Sequence, residues 1–159
     1  MDKKRIIDEL MRIVNCELDG ILQAYEFTKA GACDQDTKAE SKWDTRSIEA
    51  GYLAGAQKKR LEELKSQIGI LQNFTLKEFS PSDPITSGAL VTVLNSTEQA
   101  LYFLIHSGEG QSLNIDNVRV QVVTTYSPIG SALMNKVEGE IIELVTPKGK
   151  KEIEVIRVC

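Results

Sequence analysis

The sequence is short of the residues that most hydrolytic and metal chemistry needs. Of its 159 residues only one is histidine, His106, so a Ser-His-Asp or Cys-His site would have to be built around that one ring, and no local signature surrounds it. Its three cysteines, Cys16, Cys33 and Cys159, are odd in number, far apart and without a Cys-x-x-Cys pair. That spacing argues against a disulfide framework or a zinc site, and it predicts reduced thiols. No apolar run approaches the roughly 20 residues needed to span a bilayer, and the opening Met-Asp-Lys-Lys-Arg leads into an amphipathic segment. A soluble cytoplasmic protein without a membrane partner is expected. An excess of one charge is also lacking: 19 basic and 23 acidic residues are interleaved to a net −4, so no uniformly basic face is offered to duplex nucleic acid. Contact with a nucleic acid must be local.

What is present falls into two halves with different hydrophobic periods. Ile7, Met11, Val14, Leu18, Ile21, Tyr25 and Thr28 step alternately by four and three, the pattern of a helix with one buried seam, widened at its start by Ile6, Leu10 and Ile13. The spacing predicts a helix from about Asp2 to Lys29, roughly 40 Å long at 1.5 Å per residue. From Gly31 to Lys42 the period is lost and Gly, Ser, Thr, Asp and Lys accumulate, which reads as a turn. A second helix is expected to begin between Asp44 and Ser47 and to end near Phe74, with Ala50, Ala54, Gln57, Leu61, Leu64, Ile68 and Leu71 as the matching seam. Small residues near the turn (Ala50, Gly51, Ala54, Gly55, Ala56) suggest that the two backbones converge there and that the hairpin tapers.

After Phe79 the string Ser-Pro-Ser-Asp-Pro removes backbone donors and disfavours helix, which marks a linker. Beyond it the period falls to two in Ala89–Leu94, Ala100–Ile105, Val118–Val122, Glu140–Val145 and Glu152–Arg157. Pro147-Lys148-Gly149 reads as the turn of a hairpin between the last two strands. Ser127-Pro128 reads as an N-cap with proline at the first helical position, opening a short helix through Leu133 and Met134, both expected in the core. The expected organisation is α+β: an antiparallel two-helix hairpin over residues 1–79, a linker over 80–86, and a mostly antiparallel sheet with one short helix over 87–159.

Four ordered blocks, Ala89-Leu-Val-Thr-Val-Leu-Asn95, Tyr126-Ser-Pro-Ile-Gly-Ser-Ala-Leu-Met-Asn-Lys136, Thr146-Pro-Lys-Gly149 and Glu152-Ile-Glu-Val-Ile-Arg-Val158, follow the helical hairpin and the proline linker. In this order they resemble the bacterial transcript-cleavage factors GreA and GreB, over the whole chain. The resemblance implies an FKBP-like second half that anchors on RNA polymerase at the rim of its secondary channel, with the hairpin entering the pore. It implies that acids at the hairpin tip help to hold Mg²⁺ inside the polymerase complex, where backtracked nascent RNA is hydrolysed by the polymerase and not by the factor. No cofactor is expected in the isolated chain, and the oligomeric state is left open.

The family tip, Gly-Asp-x-x-Glu-Asn-Ala-Glu-Tyr, is matched here only by Trp43-Asp44-Thr-Arg-Ser-Ile-Glu49-Ala-Gly-Tyr52. Aligning the aspartates and tyrosines requires one inserted residue and leaves Arg46, Ser47 and Ile48 where the second acid belongs. Asp44 is the best match for a helper carboxylate and magnesium ligand, with Glu40 or Glu49 as its partner; Asp34 and Asp36 add acids to the turn. The simpler reading is a solvated polar tip in which Lys38, Lys42 and Arg46 interleave with these acids. Trp43 is either a cap over the hairpin end or a stacking surface. Lys58, Lys59 and Arg60 match basic positions that face the transcript, against the simpler reading of a solvated helix face paired with Glu62 and Glu63. Ser127 and Pro128 match a polymerase-docking surface besides opening their helix. The altered tip admits a second function, a secondary-channel regulator that inhibits or retunes polymerase without cleavage. A prolyl isomerase is disfavoured because only Tyr102, Phe103 and Tyr126 supply aromatics after the linker.

Overall fold

The computed structural model describes residues 2–33, 46–95, 98–106, 110–146 and 149–159. Its elements in chain order are α1 (Lys3–Cys33), α2 (Arg46–Gln72), β1 (Leu90–Asn95), β2 (Glu98–Ile105), β3 (Gln111–Ile115), β4 (Val118–Thr124), α3 (Pro128–Leu133), β5 (Ile141–Thr146) and β6 (Gly149–Val158). They divide into two compact units, Leu10–Asn73, and Met1–Glu9 with Phe74–Cys159.

In the first unit the expected seam is the buried stripe. Leu10, Val14, Leu61, Leu64 and Leu71 are buried, and Met11, Leu18, Ile21, Tyr25, Thr28, Ala54, Gln57 and Ile68 are half-buried. The two helices form an antiparallel hairpin bridged by Arg60 of α2, which donates from Nε and Nη2 to Glu17 Oε1 of α1 at 3.0 and 2.6 Å. Helix α1 runs four residues past the expected Lys29, so Gly31 to Cys33 are helical and not part of a turn. One glycine costs a helix about 1 kcal/mol, which the cooperativity of a 31-residue helix flanked here by Ala30 and Ala32 absorbs. Helix α2 ends at Gln72, where Asn73 turns back, its Nδ2 donating to Gly69 O at 2.8 Å.

The second unit is a six-stranded sheet in the order β3-β4-β2-β1-β6-β5. Four of the pairings are antiparallel, but β2 and β4 run parallel, Leu101 opposite Val120 through Ile105 opposite Thr124. This fits the expected, mostly antiparallel sheet, and the one parallel pairing arises from β3, a strand the period of two did not reveal. The chain leaves β2, forms edge strand β3, and reverses at Asp116-Asn117, both at positive φ (52° and 63°), to send β4 back alongside β2. Two consecutive positive φ angles are what a right-twisted two-residue hairpin requires, and Asp and Asn tolerate them best after glycine. Arg5 pairs with the Asp116 carboxylate at this turn, with Nη2 to Oδ1 at 2.9 Å.

One face of the sheet carries Val91, Val93, Leu104, Ile142, Ile153 and Val155, closed by Leu133 of α3 and by Ile85, with Met134 packed at the margin. Ile85 is fully buried and exchanges backbone hydrogen bonds with Asn135 and Lys136, so the proline-rich stretch before it is tied into this unit. The opposite face buries Leu90, Phe103, Leu113, Val120 and Val122, with the Phe74 ring tilted against Phe103 at 6.2 Å. Gly88, at φ +92°, lies against Phe74. At the β5–β6 reversal Thr146 pairs with Gly149, whose φ of +121° fits the expected turn glycine; Pro147 and Lys148 lie outside the described residues.

Between α3 and β5, the Glu140 carboxylate accepts from Lys136 Nζ at 2.9 Å and from the Val137 N–H at 3.1 Å. Those bonds, the lysine's first, hold it below its usual 4.5. A depressed carboxylate contributes stability above its unfolded pKa and loses it as pH falls through the folded value. The Glu140→Gln variant is therefore expected to lose less stability than the wild type as pH falls below 4.5, measured by thermal unfolding from about pH 6 down to about pH 3.

Candidate functional site

Two regions carry the residues that the sequence singles out. The first is the α2 start and the helix behind it. Glu49 lies in the first turn of α2 and is exposed, where a carboxylate also complements the positive end of the helix dipole. Around it the hairpin shows apolar side chains to solvent: Ile48 is 57% exposed, Tyr52 78% and, on α1, Phe27 84%. Glu40, Asp44, Trp43, Asp34 and Asp36 lie outside the described residues, as do Lys38 and Lys42.

Farther along α2 the basic triplet splits. Lys58 is exposed, and among the described residues it has no ion pair. Lys59 reaches Glu63 only at 3.9 Å with its own side chain 80% exposed, a surface pair worth little. Arg60 is different in kind: 26% exposed, it holds Glu17 across the hairpin and approaches Glu63 at 3.5 Å. It belongs to the helix-helix contact, which spacing alone did not reveal, because the partner acid lies 43 positions away.

The small residues near the tip need correcting. A Cβ built on Gly51 or Gly55 meets nothing within 4 Å. These glycines are therefore not where α1 approaches; the seam passes through Ala54 and Gln57, and Gly51 and Gly55 turn away from it. Gly55→Ala is accordingly expected to stabilise the hairpin by about 1 kcal/mol, the intrinsic helix preference of alanine, read as a higher unfolding midpoint in urea.

The second region is the β4–α3 corner. Ser127 is the N-cap of α3, its Oγ accepting from the Gly130 N–H at 3.1 Å and its hydroxyl donating to Thr124 O at 2.8 Å. Ser131 Oγ ties back to Thr125 O at 3.1 Å. The capping role of Ser127 and the N-terminal place of Pro128 are as the sequence implied. This fixed corner presents Pro128, exposed, beside Tyr126, 78% exposed. The aromatics of this half are dispersed. Phe103 is fully buried, and its neighbour Tyr102, half-buried, points to the other face because successive strand residues alternate. They do not line one pocket.

Among the described residues no group of three or more His, Cys, Asp or Glu side chains gathers to hold a metal ion, and no helix is long and apolar enough to cross a membrane. Cys16 and Cys159 are free thiols.

Residues 80–159, the β-rich half with the Ser127 corner, match the family described as transcription elongation factor, GreA/GreB, C-terminal. The chain belongs to the GreA/GreB family. Over 153 residues it is 29% identical to the transcription elongation factor GreA of Francisella tularensis subsp. novicida (strain U112), covering 94% of this chain and 87% of that protein. GreA of Francisella tularensis subsp. holarctica (strain LVS) matches to the same extent. Among solved structures it is similar to GreA factor homolog 1 (Gfh1) of Thermus thermophilus, at 18% identity and a TM-score of 0.40 over 94% of each chain. GreA/GreB factors are not enzymes themselves; they stimulate the intrinsic activity of RNA polymerase.

Proposed function

We infer that this GreA/GreB-family chain binds RNA polymerase in the cytoplasm, docks through the Ser127-Pro128 corner at the rim of the secondary channel, and directs the hairpin toward the active centre. There it stimulates hydrolysis of backtracked nascent RNA. The observation that carries this reading is the family match over the β-rich half together with a hairpin whose second helix opens on an exposed carboxylate, Glu49. The acids offered by this end of the chain, Glu40, Asp44 and Glu49, supply only hard carboxylate oxygens, which suits Mg²⁺ and not a soft metal. One or two such groups complete a magnesium site only where polymerase and phosphate supply the other ligands. When bound there, the ion supplies activation of water and stabilisation of the leaving oxygen. The chain's own part is to place carboxylates, to keep Lys58 and Lys59 available to the RNA backbone, and to hold the factor in place through its other half.

A second reading is favoured by one specific feature. The stretch where the second acid of the family tip belongs is Arg46-Ser47-Ile48, and Ile48 is 57% exposed. An apolar side chain there adds contact area and no metal ligand, as a regulator that occupies the channel without promoting cleavage would require. Incubating a stalled, backtracked polymerase complex with the protein and Mg²⁺, then sizing the RNA, tests the two readings. Shortened transcripts support the first; intact transcripts with slowed extension support the second and overturn the first.

A further inference from the structure

The side chains of Arg60 and Glu17 form a charged rung across a mainly apolar seam, both of them partly shielded and joined by two charge-assisted bonds to one oxygen. Gln57, one turn nearer the α2 start, adds a second polar group: its Oε1 is buried with no hydrogen-bond partner. Polar groups in a helix seam cost stability, and what they contribute in return is register.

We propose that Arg60 is a positioning residue, which with Glu17 sets the register of α1 against α2 and so the place of the tip, and that it does not contact RNA. The helical arithmetic supports this. Counting antiparallel from the rung, a slip of one turn, roughly 5 Å, would bring Arg60 opposite Ile13 and Val14 or opposite Gly20 and Ile21. A slip of one heptad would bring Leu10 or Ala24 opposite instead. In each case the residue directly opposite the arginine is not an acid, and Glu17 meets Ala56, Gln57, Leu64, Leu53, Gln67 or the acid Glu63. The apolar seam itself discriminates less sharply, since Leu, Ile and Ala recur along both helices. Only the native register pairs the two charges. Of the basic triplet, Arg60 is thereby committed to the hairpin, and Lys58 and Lys59 remain for a polyanion.

This rests on the reading under Proposed function for its effect on RNA, but its structural half is measured without polymerase. Nitroxide labels are placed at Gln23→Cys and Lys65→Cys, both exposed, on opposite helices and offset by roughly 16 Å along the hairpin so that an axial slip changes their separation, in full-length protein whose Cys16, Cys33 and Cys159 are replaced by serine. The wild-type pair is expected to give one distance. Arg60→Gln should shift it or add a population displaced by about 5 Å, and the exchange Glu17→Arg with Arg60→Glu should restore a single distance. In the cleavage assay at saturating factor, Arg60→Gln should lower the maximal rate at least about tenfold with the half-saturating concentration changed less than about twofold, and the exchange should restore it. An unshifted single distance in Arg60→Gln overturns the proposal, as does an exchange that restores the distance but not cleavage, which would make Arg60 an RNA contact. A wild type that never cleaves removes the proposed function and leaves the distance measurement to decide the register.

Discussion

Replacing Gly130 by alanine is expected to destabilise the β-rich unit by about 3 kcal/mol, the largest loss foreseen for any single methyl group added to this chain. An ideal Cβ at this position falls 2.0 Å from the Thr124 carbonyl oxygen and 2.9 Å from Ser127 Oγ. Neither atom is the loose end of a long side chain. Thr124 O already accepts from the Ser127 N–H at 3.0 Å and from the Ser127 hydroxyl at 2.8 Å, and Thr124 is paired with Ile105 at the end of β4. Relieving the overlap means moving α3, which carries Leu133, fully buried in the core. The cost thus combines overpacking, about 1–3 kcal/mol, with cap bonds worth about 1 kcal/mol each. Urea unfolding of Gly130→Ala against Ser127→Ala separates the terms: Ser127→Ala should cost only the cap, about 1 kcal/mol. Equal losses in the two variants would mean that α3 can shift freely, contrary to the close contact at Gly130. Any docking at Tyr126 and Pro128 should weaken with Gly130→Ala, because the same corner presents both.

The corner shows how far the sequence carries. Ser-Pro before an apolar helix announces its cap and its first turn by local chemistry alone, and that part of the structure was legible. The strict alternation in Val91-Thr-Val93 and in Ile153-Glu-Val155 likewise placed β1 and β6, because one face of each strand had to be apolar. Strand β3 escaped because Gln-Ser-Leu-Asn-Ile offers only two apolar positions and its reversal uses Asp-Asn and no glycine. The parallel pairing of β2 with β4 escaped with it. The helix seams were legible from their spacing, but the direction of Gly51 and Gly55 was not: a small residue is equally consistent with close approach and with open space, and only the phase of the formed seam distinguishes them. At the candidate site, spacing named the basic triplet, yet it took the packed hairpin to separate Arg60, held by an acid from the other helix, from its exposed neighbours.

Asp44→Ala is expected to lower stimulated RNA cleavage by on the order of 100-fold or more while leaving polymerase affinity nearly unchanged. The scale follows from metal sites in which even an outer-shell partner is worth about 10 to 100-fold in affinity or activity. Docking is assigned to the β-rich half, remote in sequence from the tip, so a lost carboxylate removes a ligand needed in the reaction but not in binding. The partner acid is then decided by comparison. Glu40 precedes Asp44 by four positions and would share its face on a helix, so that pairing makes Glu40→Ala the more damaging second change. The one-residue insertion in the tip string instead carries the second acid forward to Glu49, already exposed in the first turn of α2, and makes Glu49→Ala the damaging one. Raising Mg²⁺ should partly restore each affected variant, because a weakened site still fills by mass action, whereas a variant damaged only in folding would not respond. Sizing the RNA from backtracked complexes across a magnesium series, with polymerase affinity measured in parallel, reads all of these. Cleavage that persists in Asp44→Ala, Glu40→Ala and Glu49→Ala alike would remove the carboxylates from the mechanism and leave the channel-occupying regulator, with Ile48 and Tyr52 as its contact surface.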